Sequence, residues 1–138
     1  MKIFQSLFLV FSAAVLLGSQ SCGQRQGCTN SLAVNYDNDA EDNDGSCEFT
    51  RTFWDDSDSS GWIDVWVANF DTIGAPIVYE GRITTFYDDP PACAASGTVV
   101  VNRRPGLYYV EYENNRGNIY WEEVPFREES CRLYELDY

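Results

Sequence analysis

The chain contains no histidine and a single lysine, Lys2. Without histidine, the Ser-His-Asp and Cys-His constellations of nucleophilic catalysis cannot be assembled from its own side chains. There is also no G-x-S-x-G elbow, no glycine-rich phosphate loop and no H-E-x-x-H pattern. None of its five cysteines form a C-x-x-C pair, so a zinc site or a redox motif lacks its usual framework. Basic residues are scarce, nine against 22 acidic, for a net charge of −13 at pH 7. Phosphate groups are bound by clustered lysine and arginine, so this balance argues against nucleic acid and anionic lipid surfaces as partners.

What is present begins with a leader. Lys2 precedes an apolar run from Ile3 to Leu17, broken only by Gln5, Ser6 and Ser12, and small residues follow at Gly18, Ser19 and Ser21. A positive start, a short apolar stretch and small residues before a cut predict a secretory signal over residues 1–21. The run is shorter than the roughly 20 residues that a membrane-spanning helix needs. The stretch Leu17-Gly18-Ser19-Gln20-Ser21-Cys22 resembles the loose lipobox of Bacteroidetes-type exported lipoproteins, although Ser19 stands where leucine is usual and Gln20 is polar. The resemblance implies lipidation of Cys22, a tether over residues 22–27, and membrane attachment in the cell envelope at the outer membrane. Which way the protein faces stays open, and the acid-free Gly23-Gln24-Arg25-Gln26-Gly27 disfavours the surface side. The alternative is ordinary cleavage that leaves Cys22 as a free thiol.

The cysteine count favours lipid. With Cys22 set aside, Cys28, Cys47, Cys93 and Cys131 form an even set, as expected of disulfides in an oxidising compartment. Four cysteines allow three pairings, and local composition favours Cys28–Cys47 with Cys93–Cys131.

Residues 28–49 form a cysteine-framed acidic segment. Its run Gly27-Cys28-Thr29, Ala33, Asn35-Tyr36, Ala40 and Asp44-Gly45-Ser46-Cys47 resembles a G-C-T-x3-A-x-N-Y…D-G-S-C loop module of exported Bacteroidetes proteins. That likeness implies a small extracellular loop unit, similar to the calcium repeats of thrombospondin. Asp37, Asp39, Asp42 and Asp44 supply four hard oxygen ligands, and calcium takes six to eight such oxygens, so one calcium ion is a chemically sensible ligand, although no cofactor is required. The spacing departs from an EF-hand loop, because Ala40 stands at a ligand place and no glutamate closes the loop. The competing reading is a solvated acidic loop pinned by its disulfide.

Residues 50–138 alternate between short apolar runs and turn clusters, and no helical periodicity appears past the leader. Strands are expected at Phe49–Trp54, Trp62–Phe70, Pro76–Tyr87, Thr98–Asn102, Leu107–Glu113, Asn118–Val124 and Cys131–Leu136. Pro105-Gly106 and Asn114-Asn115-Arg116-Gly117 mark hairpin turns. Tyr108, Val110 and Tyr112 fall on one face of a strand and Glu111 and Glu113 on the other. An all-β fold follows, a small two-sheet β-sandwich of the immunoglobulin-like or prealbumin-like kind. Gly61-Trp62-Ile63, Pro91-Ala92-Cys93, Pro105-Gly106-Leu107-Tyr108 and Cys131-Arg132-Leu133 resemble scattered positions of small disulfide-linked β-sandwich modules of the same exported proteins. In such modules the two cysteines pair and the role is accessory or interactive.

Paired carboxylates are plentiful, so residue type alone leaves room for a glycosidase. A deep cleft is nevertheless hard to build in so small a sandwich, and Glu122-Glu123 and Glu128-Glu129 read as solvated edge or turn charges. Trp54, Trp62, Trp66 and Trp121 invite two readings. Small sandwiches bury tryptophan, which makes most of them core. An exposed subset, Trp62, Trp66 and Trp121, would instead serve ligand binding. The expected function is a lipid-anchored, non-catalytic binding or structural module, with a protein or a glycan as the partner; the alternative is surface glycan recognition through exposed tryptophan and tyrosine. A Cys22→Ser protein is expected in the soluble fraction of lysed cells, because stable anchoring needs more than one acyl chain. Retention of the variant in membranes at wild-type level contradicts the lipid anchor.

Overall fold

The structure is a computed structural model and describes residues 23–56, 61–70, 72 and 74–137. The leader and Cys22 lie outside the described residues. Among the described residues, nine strands run in chain order: β1 (Gln26–Gly27), β2 (Asp42–Asn43), β3 (Phe49–Trp54), β4 (Ile63–Asn69), β5 (Val78–Ile83), β6 (Val99–Arg103), β7 (Gly106–Asn114), β8 (Ile119–Phe126) and β9 (Cys131–Glu135). The last seven form a two-sheet sandwich, three strands in the order β6-β3-β9 facing four in the order β5-β4-β7-β8. Among the described residues, no helix is long and apolar enough to cross a membrane.

Alternation makes the sandwich. On β4, Ile63, Val65 and Val67 turn inward, and on β7 so do Tyr108, Val110 and Tyr112. They meet Phe53, Val99, Val101 and Leu136 of the opposite layer in one core that also takes in Ile83, Val124 and Phe126. Each fully buried side chain of this size contributes about 1.5–3 kcal/mol through the water it leaves. The hairpin between β7 and β8 closes as the asparagine-glycine run predicts: Gly117 N donates to the Asn114 carbonyl at 2.9 Å. Asn114 Oδ1 accepts from the backbone of Arg116 and Asn118.

β3 is buried along its whole length. Phe49 joins Cys28, Ala33 and Cys47 in a second, smaller cluster, so the first residue of the sandwich is also the plug of the cysteine-framed module. Gln26–Gly27, expected as tether, pairs in parallel with Asp42–Asn43 and belongs to that module. Further along β3, Arg51 is fully buried beneath the sandwich core. Its Nε and Nη2 donate to the Pro125 carbonyl of β8 at 3.1 and 2.9 Å, and Nη1 donates to the Thr50 carbonyl at 3.1 Å. The guanidinium lies 5.2 Å from the Phe126 ring centroid.

Disulfides join Cys28 to Cys47 and Cys93 to Cys131. With sequence separations of 19 and 38, they remove loop entropy from the unfolded chain worth about 3 and 4 kcal/mol on the chain-entropy account. The second ties the segment after β5 to β9, and Ala94 N donates to Thr52 Oγ1 at 3.1 Å, which covers the outer side of β3. This explains why β5 is shorter than the expected Pro76–Tyr87. Its ladder stops at Ile83, and Thr84 N turns to the Gly97 carbonyl at 2.9 Å. Gly97 has φ +79°, and a Cβ there would lie 2.9 Å from the Thr85 backbone nitrogen, so no other residue fits.

One expectation fails. Glu122 is not a solvated edge charge, because the pleat of β8 places it on the inward side with Tyr120, Val124 and Phe126. Its two carboxylate oxygens accept the phenol hydrogens of Tyr112 and Tyr134, each at 2.7 Å, joining the four-stranded layer to β9. Burial first, and then this hydrogen bond, pushes the Tyr134 phenol up to about 12 and raises that of Tyr112 as well. Both folded values lie above the unfolded value of about 10, so their contribution is complete below that pH and is lost as pH rises toward 12. Stability should therefore fall across that alkaline window in wild type. A Glu122→Gln/Tyr134→Phe protein should show a shallower fall, and equal slopes in denaturant titrations would contradict the assignment.

Candidate functional site

Among the described residues, the exposed Tyr79, Tyr109 and Trp121 all lie on the outward side of the four-stranded sheet. Because inward positions on β4 and β8 are taken by Ile63, Val65, Val67, Val124 and Phe126, the alternate positions point away from the core. Strand register then assembles rows across the sheet. Tyr79, Trp66, Glu111 and Trp121 are successive partners on β5, β4, β7 and β8, and beside them Ala68, Tyr109 and Glu123 form a second row. Arg82, Asp64, Glu113 and Ile119 form a third.

Ring contacts knit the rows together. Trp66 and Tyr79 have centroids 5.4 Å apart, Phe70 and Tyr109 4.6 Å, and Tyr109 and Trp121 6.0 Å with the rings near edge-to-face. Trp121 is 67% exposed. Between it and the segment leading into β5 lies a groove of about 580 Å³. It is lined by Ala68, the smallest side chain on this face, with Tyr109, Trp121, Ala75, Ile77 and Glu111.

The third row is a fixed ion pair. Arg82 Nε and Nη2 reach the two oxygens of Asp64 at 2.7 and 2.6 Å, and the Tyr79 hydroxyl adds a bond at 2.9 Å. The Arg82 guanidinium stacks 3.9 Å from the centre of the Trp62 ring. Arg82's hydrogen bonds hold the Asp64 carboxyl below the usual carboxylate range. The pair neutralises itself, while Glu111, Glu113 and Glu123 leave the rest of the face negative.

The structure separates the four tryptophans differently from the core expectation. Trp54 alone is buried, at 3% exposure, whereas Trp62 and Trp66 are half-buried and Trp121 is open. The reason is local: β4 and β8 already fill their inward positions with aliphatic side chains and phenylalanine. Trp62, Trp66 and Trp121 therefore share one face. Sequence reasoning missed Tyr79, Asp64, Arg82, Ala68 and Glu111. The alternation Ile63, Val65, Val67 against Asp64, Trp66, Ala68 was the signal available for two of them, Asp64 and Ala68.

The aspartates of the cysteine-framed module are not gathered. Asp37 and Asp39 turn to Arg25, at 3.3 and 3.0 Å. Asp39 N donates to Asp37 Oδ1 and Ser46 N to Asp44 Oδ1, and hydrogen bonding from Ser46, its side chain first and then its backbone N–H, lowers the Asp44 carboxyl's pKa. Among the described residues no three acidic or cysteine side chains, Asp37, Asp39, Asp42 and Asp44 included, converge where a metal ion such as calcium could be held.

No family model, no curated protein and no solved structure matches the chain. The geometry sorts the tryptophans into testable classes. Trp54→Ala should cost about 3–5 kcal/mol of stability, and Trp121→Ala should stay within about 0.5 kcal/mol. Comparable losses in the two variants, measured by denaturant unfolding, would contradict the division of faces.

Proposed function

We propose that this chain is an extracytoplasmic, non-catalytic binding module, anchored by lipid on Cys22 in the outer membrane of the cell envelope, that presents the outer face of its four-stranded sheet to a partner. The observation that carries the reading is the row Tyr79, Trp66, Glu111, Trp121 beside an open apolar groove. Large apolar side chains left in water on one continuous patch are the usual mark of a contact surface. Aromatic residues are also the side chains most enriched where partners bind.

Anchoring is supported by arithmetic. Cys28, Cys47, Cys93 and Cys131 are consumed in two disulfides, which leaves Cys22 as the odd cysteine directly after an apolar leader. Two disulfides also favour an oxidising compartment. A net charge of −13 disfavours nucleic acid as the partner. Catalysis is disfavoured because histidine is absent and the carboxylates of the face stand on an open sheet rather than facing each other in a cleft.

Hydroxyl-radical labelling tests the reading without naming the partner. Trp121 should be labelled several-fold less in intact envelopes than in the purified protein, while Val34 and Tyr36 of the cysteine-framed module serve as exposed references. Equal labelling of Trp121 in both preparations would overturn the assignment of this face.

A further inference from the structure

We infer that the occupant of the aromatic face is an uncharged polysaccharide, an extended β-linked pyranose chain lying across β8, β7 and β4; this rests on the reading of that face as the binding surface. Three features select this chemistry over an apolar peptide or an acidic glycan.

The first is spacing. Trp121 and Trp66 stand on either side of Glu111 in one row, two strand separations apart, or about 9.5 Å. An extended β-linked hexose chain turns each ring over relative to the last, so the same ring face recurs at every second sugar. That repeat is close to two strand separations, and the two indoles would meet like faces of alternate sugars. The second feature is polarity. Pyranose rings carry C–H groups above and below and hydroxyls around the rim, and Glu111 stands between the indoles as an acceptor for rim hydroxyls. A carboxylate accepts such bonds strongly without needing a charged partner. A greasy peptide would leave Glu111 desolvated and unpaired, at a cost.

The third feature is charge. Asp64 and Arg82 cancel each other through their two-pronged contact. Glu111, Glu113 and Glu123 then give the face a field that repels uronate, sulfate or phosphate groups. Ala68 and the open groove above it supply the room for a ring or its exocyclic hydroxymethyl group.

The test is calorimetric titration of the purified mature protein with cellohexaose and β-1,4-linked mannohexaose, with a β-1,4-linked mannuronate hexamer as the acidic control. At least one uncharged hexamer should bind and the mannuronate hexamer should not. Trp121→Ala should weaken that binding about tenfold, the loss of one stacking platform. Ala68→Phe, which fills the groove while keeping every aromatic side chain, should weaken it comparably with the melting temperature maintained. Glu111→Gln/Glu123→Gln should relax the discrimination and admit the mannuronate hexamer.

Failure of both uncharged hexamers to bind overturns the inference, as does equal affinity for the acidic control. Trp121 labelling in envelopes separates this failure from that of the underlying reading. If Trp121 is protected there and protease rather than glycosidase exposes it, the face binds a protein and the polysaccharide assignment is wrong. Unprotected Trp121 removes the binding face itself.

Discussion

The buried guanidinium of Arg51 is the constraint around which the layers are arranged. A charge taken fully out of water must be met by hydrogen bonds, and here it is met by the carbonyls of Pro125 and Thr50 instead of a carboxylate. Pro125 has no N–H to offer a neighbour, and its carbonyl is claimed twice by Arg51, so β8 is pinned to β3 across the sandwich. Losing that donor would leave a buried carbonyl unsatisfied, a cost on the order of 1–3 kcal/mol. Burial lowers the Arg51 pKa, yet a guanidinium stays charged throughout the accessible range. Because β3 also carries Phe49 into the module cluster and Thr52 against Ala94, one strand fixes the module, both layers and the covering loop.

That arrangement explains why the binding face is free to be aromatic. The core is completed by aliphatic residues, Phe53, Phe126 and Tyr108 and Tyr112 of β7, with Glu122 collecting two phenols at its edge. Stability therefore does not need Trp66 or Trp121 inside. The Arg103–Glu80 ion pair and the closeness of Gly81 to Val99 join β5 to β6 and close one side of the sandwich. The segment covering β3 and the module at the opposite end account for the other surfaces. The outward side of the four-stranded sheet is left with its rings in water.

Much of this was legible in the residues. Seven strands and the asparagine-glycine hairpin follow from period-two alternation and from turn chemistry, which act within a few residues of each other. The cysteine pairs were favoured by segment composition. What could not be read was long-range. The parallel pairing of β3 with β9 joins nearly the first and last strands of the domain and leaves no local signature. Glu122 looks like a surface charge until Tyr112 and Tyr134 are brought to it by two different strands. The four aspartates looked like a ligand set because their spacing is close, whereas in the structure Asp37 and Asp39 face Arg25 and Asp44 accepts from Ser46 N, pairings that local spacing does not reveal. The tryptophans were misjudged as mostly core, since burial depends on how much volume the neighbouring aliphatic residues have already filled.

The division of faces has a direct readout in the indole N–H resonances of the protein labelled with nitrogen-15 tryptophan. Four signals are expected, one of them from Trp54 in the interior and three from the sheet's outer side. On addition of cellohexaose or mannohexaose to saturation, the signals of Trp121 and Trp66 should move while that of Trp54 stays in place. Movement of Trp54 with a silent Trp121, or four stationary signals in the presence of envelope polysaccharide and envelope protein alike, would contradict the account.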